Sequence, residues 1–164
     1  MFEVLVFVYE HYWRGDACPE LQQLGRKLSA HGFDADEIQD ALVWLDGLNL
    51  AAQSIAPGDP HSTPSCDDAP EVQSSWGMRV YSVAEQDHLG AQCLGFVSFL
   101  ESAGVLPAGM REIVIDRAMA APGDPVSLDD LKIIVLMVYW SFGREPDALV
   151  LDELCDAVEG RLAH

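Results

Sequence analysis

From Ile133 to Trp140 every residue is apolar, and a helix apolar on all sides must be covered on all sides. The run is far short of the roughly 20 residues that cross a bilayer. Lys132 and Arg144 bound it closely. Such a helix belongs at the centre of a bundle. Ser127, Leu128, Asp129 and Asp130 supply its cap and first turn, where the two acids complement the helix dipole. The chain is therefore expected to be mainly α, with a helical C-terminal half built around residues 128–142.

The remaining segments surround that centre. Residues 2–14 place Val4, Leu5, Val8 and Tyr12 at helical spacing, with a strand as the alternative because β-branched and aromatic residues abound. Pro19 opens a second helix carrying Leu21, Leu24 and Leu28, and Gly32 ends it. Asp34 and Glu37 make a capping-box-like start to a third, with Ile38, Ala41, Leu42, Leu45 and Leu48 on one face. Three short helices with brief connections match the helix-turn-helix pattern. Residues 51–56 and 76–81 read as two strands around the Pro-, Ser- and Asp-rich segment 57–75, a mobile acidic loop.

The expected architecture is thus a winged-helix-like subdomain over 1–81, a helix-turn-helix plus a short β-hairpin, packed with a helical subdomain over 82–164. In the second half, a capping box from Ser82 to Glu85 opens a long helix reaching Leu100. Another helix covers 108–120, and Pro146 begins a last amphipathic one. Leu42, Leu45, Phe96, Leu100, Ile134, Val135 and Val138 are expected to be buried.

Charge limits the partners. The 27 Asp and Glu against 9 Lys and Arg give a net −18, which repels nucleic-acid phosphates and anionic membranes. From Phe33 through Met78 there is no Lys or Arg at all. The polar positions of the third helix hold Asp36, Glu37, Gln39, Asp40 and Asp46, where a DNA reader presents mostly Arg, Lys, Asn or Gln. DNA binding and membrane binding are both argued against. A protein with a basic surface is the partner expected.

No catalytic or cofactor motif is found. Neither a P-loop nor a dinucleotide fingerprint is present, and no Gly-x-Ser-x-Gly elbow appears. No two histidines lie within a helical turn. His11 with Cys18, and His61 with Cys66, read as unrelated polar residues. Cys18, Cys66, Cys93 and Cys155 are scattered without a Cys-x-x-Cys pair. The start of the chain lacks the basic region of a signal peptide, which with reduced thiols points to the cytoplasm. The expectation is a protein that is not an enzyme and holds no cofactor and no metal.

Several stretches together resemble the Smg family of uncharacterised bacterial proteins. They are the opening from Met1 to Glu10, the block from Gly32 to Leu45, and Met78 to Ser82. Cys93 to Glu101, Arg111 to Arg117, and Leu128 to Val138 complete them. The likeness covers nearly the whole chain, and segment 57–75 looks longer here than in the family. The resemblance implies a cytosolic protein with no assigned catalytic residues, whose gene often neighbours one for a DNA-processing protein.

Arg79, Arg111, Glu112, Asp116, Arg117 and Lys132 are the charged residues singled out within those stretches. Two readings of them stay open. Either they pair with nearby acids, Arg111 with Asp116 or Glu112 and Arg79 with the wing backbone, or they form a polar patch that docks a partner. The corresponding functions are a non-enzymatic adaptor or regulator that binds a partner protein through an acidic helical scaffold, and a nucleic-acid-associated factor in DNA processing. The placement of Lys and Arg favours the first.

Overall fold

The computed structural model describes residues 1–12, 21–55 and 79–144, with positions 146, 150 and 154. Six helices follow in order: α1 (Phe2–Tyr12), α2 (Leu21–Ala30), α3 (Ala35–Ile55), α4 (Val83–Ser102), α5 (Ala108–Met119) and α6 (Leu128–Ser141). Among the described residues there is no strand.

The position of α6 follows from its composition. Every residue from Leu131 to Tyr139 is buried, and α1, α3, α4 and α5 all pack on it. Its start is capped by Ser127, whose hydroxyl accepts from the Asp130 amide at 3.1 Å and donates to the Asp130 carboxylate at 2.6 Å. α1 buries Val4, Leu5 and Val8, flanked by Phe2, Val6 and Tyr9, against α6 and α3. Its β-branched content favours a strand only weakly, and burial of a helical stripe outweighs that preference. α2 sets Leu24 and Leu28 onto α3, and Gly32 turns the chain with φ 92°, a conformation open to glycine.

The winged helix is overturned at two places. The strand expected at 51–56 is replaced by the last turn of α3 through Ile55, since Leu50, Ala51 and Ala52 are strong helix formers and half-buried Ala51 still packs on the core. The returning strand fails as well. Residues 79–81 pair with no strand, and residues 76–78, like the loop 57–75, lie outside the described residues. What holds this segment is side chains. The Arg79 guanidinium sits 4.8 Å over the Tyr81 ring and bonds to carboxylates on α4 and α5.

The capping box at α4 forms as expected, with Ser82 and Glu85 bonding reciprocally to each other's backbone amides. α4 is kinked inside the span that its apolar spacing predicts to be one helix. Gly90 takes φ 67° and ψ 168°, which frees the His88 carbonyl to accept from the Val126 amide at 2.8 Å. The buried Cys93 thiol donates to the Val126 carbonyl, so the loop before α6 is stitched into the bend. Burial, with a smaller push from Asp130, raises the pKa of that thiol, which suits a packing role.

Of the expected core, Leu45, Leu100, Ile134, Val135 and Val138 are buried, whereas Leu42 and Phe96 are only half-buried. Trp44 takes the place of Leu42. Its indole N–H donates to the Arg117 carbonyl at 3.0 Å and ties α3 to α5. Of the last predicted helix, Val150 and Leu154 are helical and Leu154 is buried; most of the rest lies outside the described residues.

Candidate functional site

Hydrogen bonds and ion pairs do not join the six charged residues into one network. Arg79, Arg111 and Glu112 come together, Asp116 and Arg117 lie further along α5, and Lys132 is carried by α6. In the first group the Glu112 carboxylate bridges two arginines, at 3.0 Å from Arg79 and 2.9 Å from Arg111. Arg79 also reaches Glu85 at 2.8 Å, and Arg111 closes on Glu101 at the end of α4. Five side chains thereby join the 79–81 segment, both ends of α4 and the first turn of α5.

These pairs agree only in part with the pairing expected. Arg111 engages Glu112, but its second partner is Glu101 and not Asp116. Arg79 engages acids and not a wing. Partial burial works against its charge, yet the hydrogen bonds and charges of Glu85 and Glu112 hold its pKa above the ordinary arginine value. In turn the bond from Arg79, then the Ser82 amide, lowers the Glu85 carboxyl. The second group is a local pair, with Arg117 donating to Asp116 at 2.7 and 3.0 Å. Lys132 is only 7% exposed, and its ammonium stands 5.8 Å from the centroid of the Phe96 ring.

A different surface stands out beside the second group. The outer face of α3 exposes Asp36, Asp40, Val43, Asp46 and Leu50, at spacings of three, four and seven residues. Val43 and Leu50 are each 62% exposed, unusual for aliphatic side chains on a helix that also buries Ile38, Ala41, Leu45 and Leu48. Among the described residues no ion pair engages Asp36, Asp40 or Asp46. The face borders an open cleft of about 410 Å³, lined by Asp40, Val43, Trp44 and Arg117 with Ala121 and Pro122 after α5.

The path of Arg117 shapes this cleft. Its guanidinium crosses α3 at Gly47, where any side chain would collide with it. Its charge is already matched by Asp116, and the ammonium of Met1, which also lines the cleft, stands 3.5 Å from Glu37, which leaves Asp36, Asp40 and Asp46 to set the sign of the surface. The cue was present in the sequence: Val43 and Leu50 lie seven residues apart on the acidic side of α3.

Among the described residues no group of three or more metal-binding side chains occurs, and no helix is long and apolar enough to cross a membrane. A family model described as "Protein of unknown function (DUF494)" matches residues 1–164. "Protein Smg homolog" of Methylibium petroleiphilum is 60% identical over 164 residues, covering all of both chains. That of Leptothrix cholodnii is 58% identical and that of Bordetella avium 48%, again over the full length of both. The likeness to the Smg family is borne out. No solved structure matches.

Proposed function

Because the chain belongs to the DUF494 family, whose relatives carry the name Protein Smg homolog, we propose a role that no catalytic centre has to support. The protein is a non-enzymatic cytoplasmic adaptor or regulator that binds the basic surface of a partner protein through an acidic helical scaffold. The observation that carries this is the outer face of α3, which presents Asp36, Asp40 and Asp46 to solvent without a single Lys or Arg along its length. A net charge of −18 extends the same field over the molecule and speeds encounter with a cationic partner.

The nucleic-acid alternative rests on a winged helix and on gene neighbourhood, and the helical course of 51–55 takes away the first support. The acids of α3 also oppose phosphate.

The test is recovery of partners from native lysate by the full chain, against a variant carrying Asp36→Asn, Asp40→Asn and Asp46→Asn. The triple variant is expected to keep its fold and lose proteins that the wild type retains. Equal recovery by both chains, or sub-micromolar duplex DNA binding near physiological salt, overturns the adaptor reading.

A further inference from the structure

Resting on that adaptor reading, we propose that the outer face of α3, beside the cleft at the end of α5, receives a cationic amphipathic helix from the partner protein. The apolar side of that helix lies on Val43 and Leu50, and its Lys or Arg side chains reach Asp36, Asp40 and Asp46.

The spacing points to a helix. Seven residues of α3 at 1.5 Å each set Val43 and Leu50 about 10 Å apart. A partner helix laid alongside repeats the same interval between apolar side chains at i and i+7. The cleft next to Val43, lined by Trp44, Ala121 and Pro122, has room for one such side chain, while Leu50 lies outside it, beyond the Arg117 guanidinium at Gly47. Arg117 already lies over Gly47, but its Nε and an Nη bond to Asp116, and among the described residues none of its ion pairs reaches Asp36, Asp40 or Asp46.

Charge selects the occupant. A second copy of this chain would bring Asp36, Asp40 and Asp46 against the same three acids, a like-charge arrangement that disfavours self-association through this face. Nucleic acid is repelled for the same reason. A helix that is only basic would leave Val43 and Leu50 in water, and one that is only apolar would leave three carboxylates without counter-charge.

The proposal is tested with a fluorescein-labelled helical peptide of Leu and Lys, roughly 18 residues long so that its helix persists. A peptide of equal composition with Leu scattered around the helix serves as comparator. Anisotropy is read at about 0.15 M salt, where charge alone is largely screened. The amphipathic peptide is expected to bind the full chain about tenfold more tightly than the scattered one. Val43→Gln with Leu50→Gln should weaken it about tenfold, since the apolar contact is lost at both positions. Val83→Gln, at a site 73% exposed on α4, should leave it unchanged. Three results overturn the proposal: equal binding of the two peptides, no effect of the Val43 and Leu50 pair, or no binding of the amphipathic peptide. None of them touches the adaptor reading, which stands or falls on the Asp36, Asp40 and Asp46 variant.

Discussion

The guanidinium of Arg117 lies across α3 in the space that a side chain at Gly47 would need, its Cζ 3.0 Å from where a Cβ would stand. Glycine inside a helix normally costs about 1 kcal/mol relative to alanine. Here it makes room for a charged side chain that seals one helix to another. The two positions should therefore be coupled. Gly47→Ala is expected to stabilise the protein by about 1 kcal/mol when Arg117 is also alanine, and by clearly less when Arg117 is present. Urea unfolding of the four chains of the cycle measures this, and strict additivity would refute it.

Removing atoms from the centre of the bundle is expected to be costly. Ile134 is fully buried on α6, and Ile134→Ala should lower unfolding free energy by about 2–5 kcal/mol. Leu50→Ala, on the exposed face of α3, should change it by less than about 0.5 kcal/mol. Comparable losses at both positions would contradict the burial pattern.

Arg111 is 9% exposed and holds two carboxylates. Its removal leaves Glu101 without its arginine while Glu112 keeps Arg79, and both carboxylates keep access to water, so Arg111→Ala should cost about 1–2 kcal/mol. Arg117→Ala should cost less, because Asp116 is well exposed. Both variants are expected to recover the same partners as the wild type. Loss of a partner from either, with the fold intact, would assign docking to these arginines.

Glu85 links stability to pH. Its carboxyl is more acidic folded than unfolded, so its contribution is complete above the unfolded value of about 4.3. That contribution fades as pH falls through the lower folded value. Glu85→Gln should thus melt below the wild type at pH 7 and approach it near pH 3. A constant gap across that range would mean that the charge of Glu85 does not matter.

Much of the fold was legible because burial left a period. The apolar circuit of α6, the stripes of α1 and α2, and the caps at Ser82 and Ser127 can all be read from side-chain type and spacing. The strand expected at 51–56 gives way to helix through Ile55 for a local reason. A short run of alanine and mixed residues holds no decisive period. The bend at Gly90 was hidden for another, since one glycine inside a long pattern is usually tolerated without a break. The site was less legible. Glu112 joins Arg79 to Arg111, and Arg117 meets Gly47, through contacts between residues far apart in the chain. The exposure of Val43 and Leu50 depends on which side of α3 the other helices cover.

The packing of α1 on α6 has a consequence for synthesis. α1 ends at Tyr12, and of the two helices that bury it, α3 follows soon but α6 starts only at Leu128. At ribosomal speeds of about 5–20 residues per second, Val4, Leu5 and Val8 wait on the order of ten seconds for the second of them to emerge. Throughout that time the nascent chain presents a sticky helix to the cell, and a chaperone that shields it would determine how much of the protein reaches its final state.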